Sequence, residues 1–302
     1  MYIERNNKSL LVLTGLLVLA MLATVVGCQP TPTAAPTETP TTSAPNPEPT
    51  PAGIGLSGEI TEAGSTTVQP LAERLAEAFS AKHPEVEITV QGGGSSVGVK
   101  SAGQGTVDVG AASREVKESE LQKYPDLKVF TIARDGIAIV AHPDVPVDGL
   151  TKEQVKDIFA GEITNWKEVG GPDKPIVVVS REEGSGTRAA FEEMVMGKEG
   201  PPIVDMAILQ PSNGAVRTTV STTPDSIGFL SFGYLDESVK ALAIDGVEAT
   251  EANAASGAYP IVRPLNLLTK GEPSGVVKAW LDFILSDEGQ KIVVEEGYIA
   301  VK

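Results

Sequence analysis

Four short stretches place Gly, Ser and Thr directly ahead of a helical pattern. They are Gly64-Ser65-Thr66-Thr67, Gly92-Gly93-Gly94-Ser95-Ser96, Gly184-Ser185-Gly186-Thr187-Arg188 and Ser212-Asn213-Gly214. A helix start presents backbone N–H groups without intrahelical partners at the positive end of the helix dipole, which suits a small anion. Hydroxyls add donors, and glycine lets the backbone come close. One such stretch alone reads as an N-cap in a turn. Four in one chain, three of them Gly-rich, point to an oxyanion site.

Other chemistries fit less well. Gly93-Gly94-Ser95-Ser96-Val97-Gly98-Val99-Lys100-Ser101 approaches a nucleotide-binding P-loop, but Val99 separates Gly98 from Lys100. Glu183-Gly184-Ser185-Gly186-Thr187 lacks the spacing of a nucleophile elbow. The two histidines, His83 and His142, each precede Pro and read as surface-turn residues rather than general bases. Asp144, Asp148 and Asp157 read as a solvated face rather than a metal site, and Trp166 as a packing residue. No nucleophile–base pair is visible, so an enzyme is not expected, and neither is a cofactor or a metal.

The elements that must position these stretches alternate. Strands are expected at 58–61, 86–90, 107–111, 176–179, 227–230, 239–243 and 261–268. The apolar run 129–141 reads as broken at Ala133-Arg134-Asp135-Gly136. Leu71, Leu75 and Phe79 recur every four residues, a helical stripe. Thr151 to Gln154 makes a capping box for a helix carrying Val155, Ile158 and Phe159. Val276 to Leu285 forms a wide apolar stripe, and a last helix spans about 286–296 with Gly297 after its end. This alternation predicts an α/β fold with mixed, mostly parallel sheets.

The 302 residues carry 24 basic and 40 acidic side chains, a net charge of −16, which argues against a nucleic-acid partner. Residues 1–27 read as a secretory signal: Arg5 and Lys8, an uncharged apolar run from Leu10 to Val26, then Gly27. Cys28 is the only cysteine, so no disulfide forms within the chain. Val25-Val26-Gly27-Cys28 resembles the lipobox of bacterial lipoproteins, which implies lipidation at Cys28 and an extracytoplasmic protein anchored to the cell membrane. Residues 28–56 read as a tether. Between 29 and 52, eight of 24 residues are Pro and seven are Thr, with no aromatic residue to seed a core.

Several motifs together resemble the phosphate-binding subunits of bacterial phosphate ABC importers. They are Gly64 to Pro70, Gln91 to Gly98, Asp157 to Trp166, Ser180 to Arg188 and Ser212 to Val216, and the likeness runs from about Gly58 to Lys302. The resemblance implies a two-lobed periplasmic-binding-protein-like fold of type II with the ligand cleft between the lobes. One lobe would comprise 57–132 and 259–302, the other 133–258, with chain crossings near Ile132–Arg134 and Ala258–Ile261. It implies phosphate contacts from Thr66, Thr67, Ser95, Ser113, Arg181, Ser185, Gly186 and Thr187, with Ser65, Arg114, Ser212 and Asn213 nearby. Ser113 stands where the family pattern has an Asp that accepts the phosphate proton. Glu183 stands where the family has an acid that orients the Arg, and is a candidate for either role. The implied partners are inorganic phosphate, an ABC permease and its ATPase subunits, with the protein itself a monomer. Sulfate, molybdate or tungstate would suit the same donors.

Overall fold

The computed structural model describes residues 55–302. The signal segment, Cys28 and nearly all of the tether lie outside the described residues. The described residues belong to one compact unit. No helix among the described residues is long and apolar enough to cross a membrane.

Strand β1 (Gly58–Gly64) leads into α1 (Val68–Lys82), followed by β2 (Val86–Gly92), α2 (Ser95–Gln104), β3 (Val109–Ala112) and α3 (Glu118–Lys123). β4 (Leu127–Ala141) is the longest strand. After it come β5 (Gly149–Leu150), α4 (Lys152–Ala160), β6 (Val177–Arg181) and α5 (Gly186–Phe191), which continues into a π-helical turn at Glu192–Met196. Next are β7 (Ile208–Gln210), α6 (Asn213–Thr222), β8 (Ser226–Ser231), β9 (Lys240–Ala241), β10 (Ala243–Ile244) and α7 (Glu251–Ala255). The chain ends with β11 (Val262–Lys270), α8 (Gly275–Ile284) and α9 (Asp287–Glu295).

The main sheet runs β2-β1-β3-β11-β4-β8-β6-β7. β1 is parallel to β2 and β3, and β6 is parallel to β7 and β8. The central strands β11 and β4 run antiparallel to their neighbours. β4 is therefore shared: its first part pairs with β11 and its last part, Ile137–Ala141, with β8. The expected break at Ala133–Gly136 does not occur. Gly136 stays in the strand because the Phe232 ring lies where a side chain would go, and Asp135 stays because its carboxylate is fully bonded inside the fold. The expected strand at 239–243 is instead two short strands with different partners, β9 on β4 and β10 on β5.

Two large apolar cores divide along β4 and β11. One gathers Ile60, Leu71, Leu75, Phe79, Ile132, Ala133, Leu265, Leu267 and Trp280. The other gathers Ile137, Ile139, Phe159, Trp166, Phe191, Phe229, Tyr259 and Ile261. The chain thus passes between lobes at Arg134–Gly136 and Val262–Pro264. A third passage is the C-terminus. Tyr298 packs in the first core and Ile299 in the second, and Ile299 bridges antiparallel to Arg134. Trp166 is fully buried in the second core, its indole N–H donating to the Asp225 carbonyl at 2.9 Å.

Candidate functional site

The ends of β1, β3 and β6 and the starts of α1, α2, α5 and α6 meet where the lobes face each other. Close packing of α2 against β3 depends on glycine: a Cβ at Gly98 would lie 2.2 Å from the Ala111 carbonyl oxygen. At Gly186 a Cβ would lie 2.0 Å from Ser95 Oγ, so α5 of one lobe starts directly on the hydroxyl of the other.

Hydroxyls from both lobes converge. Thr67 Oγ1 is 3.2 Å from Thr187 Oγ1 and accepts from Asn213 Nδ2 at 2.8 Å. Ser95 Oγ accepts from the Ser113 N–H at 2.9 Å and lies 3.4 Å from Ser113 Oγ. The Ser96 N–H donates across the gap to the Gly184 carbonyl at 3.1 Å. The lobes are closed on each other.

Three buried charges sit among these hydroxyls. Arg181 is 1% exposed. Its Nε donates to the Gln210 carbonyl at 3.1 Å, and its Nη2 to the Pro211 carbonyl at 2.9 Å and to Thr66 Oγ1 at 3.2 Å. Its Nη1 has no hydrogen-bond partner among the described residues. Arg263 donates to Thr67 Oγ1 at 3.1 Å, to the Ser113 carbonyl at 3.1 Å and to Asp135 Oδ2 through both Nε and Nη2, at 3.1 and 2.8 Å. Asp135 Oδ1 accepts from Ser231 Oγ at 2.9 Å and from the Phe232 N–H at 3.3 Å. Four donors therefore engage the Asp135 carboxylate.

Burial lowers the Arg181 pKa to about 10, and the charge of Arg263 adds to the effect. Burial likewise lowers Arg263, while Asp135 holds it up. Burial pushes the Asp135 carboxyl up, and Arg263, Ser231 and Phe232 pull it back. Both guanidiniums are charged at neutral pH. Two cations against one carboxylate leave the cluster with a surplus positive charge in a dry setting, and an isolated buried charge is costly. An anion that reaches Arg181 Nη1 would neutralise it.

Of the sequence-derived residues, Thr66, Thr67, Ser95, Ser113, Arg181, Gly186, Thr187 and Asn213 lie in this cluster. Three hydroxyls serve their own helix starts. Ser65 Oγ accepts from the Thr67 and Val68 N–H groups, Ser185 Oγ from Arg188 and Ser212 Oγ from Ala215. Arg114 turns to the rim, where it forks onto Glu120 with two 2.8 Å bonds. Glu183 corrects the sequence reading. Its side chain is exposed, and the hydrogen bonds that orient Arg181 go to two carbonyls and Thr66 instead. The left-handed turn at Gly184, φ 85°, belongs to the loop that carries Glu183 out to solvent. Asp135, Arg263 and Tyr234 were missed. The signal for the first two was a charge inside each of two apolar strand-like runs. Such charges survive only when paired, and the register sets Asp135 directly opposite Arg263.

The PBP superfamily domain model matches residues 34–288. A phosphate-binding protein, PstS, of Bacillus subtilis is 39% identical, with 81% of each chain covered. Another PstS, from Pseudomonas aeruginosa, is 32% identical over 81% of this chain and 84% of its own. The crystal structure of a putative phosphate ABC transporter substrate-binding protein with bound phosphate, from Clostridium perfringens, is 45% identical. It superposes with a TM-score of 0.78 over 81% of this chain and all of its own. The first two relatives are phosphate-binding proteins, and the third is a putative substrate-binding protein of a phosphate ABC transporter. This chain belongs to the PBP superfamily and, within it, to the family of PstS phosphate-binding proteins.

Proposed function

We propose that this protein captures inorganic phosphate between its lobes and hands it to an ABC importer. The observation that carries the reading is Arg181. Its guanidinium is buried in the closed interlobe cluster and, among the described residues, has Nη1 unpartnered beside a second guanidinium and only one carboxylate. Thr66, Thr67, Ser95, Ser113, Gly186 and Thr187 would surround the anion, with Ser185 and Asn213 holding the helix starts around it. Asp135 has no acceptor position to spare for the phosphate hydroxyl, so hydroxyl oxygens such as Ser113 Oγ would serve. The lobes we assign are 57–132 with 259–302 and 133–258; Ala133 packs in the first core, whereas Tyr259, Ile261 and Ile299 pack in the second.

The same reading places the protein outside the cytoplasm as a monomer, lipid-anchored at Cys28 with residues 28–56 as tether. There it serves a permease and its ATPase subunits. Titration calorimetry of the Ala52–Lys302 body with phosphate, sulfate and molybdate tests the ligand. One-to-one binding of phosphate in preference to the others is expected. Absence of phosphate binding, or tighter binding of another oxyanion, would overturn the reading.

A further inference from the structure

In a regular α-helix the carbonyl of residue i accepts from the N–H of residue i+4. For Thr66, at the turn into α1, residue i+4 is Pro70, which has no N–H. The neighbouring Ser65 carbonyl is served in the ordinary way, by the Gln69 N–H at 3.0 Å. The Thr66 carbonyl receives a donor from the opposite lobe: the Tyr234 hydroxyl, at 2.7 Å. Tyr234 ends the 3-10 turn Phe232–Tyr234 after β8 and packs against the second core. Among the described residues the next carbonyl, Thr67, is met by a different phenol. Tyr298, buried in the first core, donates to it at 2.9 Å.

We propose that Tyr234 is an interlobe latch, a positioning residue whose hydroxyl grips the carbonyl that Pro70 leaves open. It holds α1 against the second lobe without itself touching the anion. The role in phosphate retention rests on the function proposed above; the latch itself does not. An oxyanion at Arg181 Nη1 would compete for the hydroxyl donors around it, whereas the Thr66 carbonyl is an acceptor that cannot bind it, so the Tyr234–Thr66 carbonyl bond stays outside that competition. It therefore favours the closed arrangement with or without ligand. Its loss should lower affinity through faster release, since most affinity changes within one site lie in the off-rate.

The test uses the Ala52–Lys302 body, whose described residues form one compact unit and which contains no cysteine, so labels can be placed cleanly. Spin labels at Lys117→Cys and Glu193→Cys, exposed residues on the two rims of the cleft mouth, report the interlobe distance. In Tyr234→Phe the ligand-free distance distribution should shift to longer values. Radiolabelled phosphate should be released about three- to tenfold faster, with association changed less than twofold. Tyr259→Phe removes a phenol–carbonyl bond within the second core, to Ile137 at 2.9 Å, and should lower the melting temperature without moving the distance distribution. An unaltered distribution in Tyr234→Phe overturns the latch. A shifted distribution with unchanged release overturns its role in retention. If the unsubstituted body does not bind phosphate, the functional reading fails while the distance measurement still decides the latch.

Discussion

Two carboxylates are almost wholly buried in this body, and they live in opposite circumstances. Asp135 lies where β4 passes between the lobes, is 0% exposed and is held by four donors, two of them from Arg263. Glu62, on β1 in the first lobe, is 1% exposed, and neither of its oxygens has a hydrogen-bond partner among the described residues. Burial pushes the Glu62 carboxyl up to about 8, with the Trp280 indole beside it pulling back. So Asp135 is a paired and fully hydrogen-bonded member of a polar cluster, while burial without a hydrogen-bond partner favours the neutral form of Glu62. What separates them is the partner across the strand pair. Arg263 faces Asp135, whereas Val90 faces Glu62.

Breaking the better-satisfied acid should do the greater harm. Asp135→Ala leaves Arg263 buried without its counter-ion, which costs about 3–5 kcal/mol. Denaturant melts at pH 7 check this. A loss below about 1 kcal/mol would mean that Arg263 is solvated or neutral in the fold.

The opposite sign is expected at Glu62. Its folded pKa lies above its unfolded value, so its contribution is fully present below pH 4.5 and is lost as the pH rises towards 8. Glu62→Gln should therefore stabilise the protein by about 2–3 kcal/mol at pH 7 and by little at pH 4. Paired melts at the two pH values decide it. Equal effects at both would show that Glu62 titrates normally.

The smallest effect belongs to an acid outside both environments. Glu183→Gln should leave phosphate affinity and the phosphate-to-sulfate ratio within about twofold, because an exposed charge contributes little. Competition binding that shows sulfate gaining on phosphate would restore Glu183 as the discriminating group.

The comparison also shows how far the sequence could be read. The helix starts at Val68, Gly186 and Asn213 were legible because the capping hydroxyls of Ser65, Ser185 and Ser212 act locally, and so was the Thr151–Gln154 capping box; the start at Ser95 was legible from its glycines alone. Arg181 was legible through the family resemblance of the Ser180–Arg188 motif. The Asp135–Arg263 pair was not. Its members are 128 residues apart, and only the β4–β11 register brings them together. The same blindness turned Arg134-Asp135-Gly136 into an expected break, since a charge beside a glycine reads as a turn until its cross-strand partner is known. Glu183 failed for the converse reason. Two residues from Arg181 in sequence, it is carried to the surface by the loop turning at Gly184, a conformation that spacing alone does not reveal.

The central claim is that the surplus guanidinium in the cleft is the seat of the anion. Phosphate titrations of the Ala52–Lys302 body and its Arg181→Ala variant at pH 7, under matched salt, test it most directly. The account predicts at least a tenfold loss of affinity, about 1.4 kcal/mol, in a variant that still melts cooperatively. Near-native phosphate affinity in Arg181→Ala would contradict it.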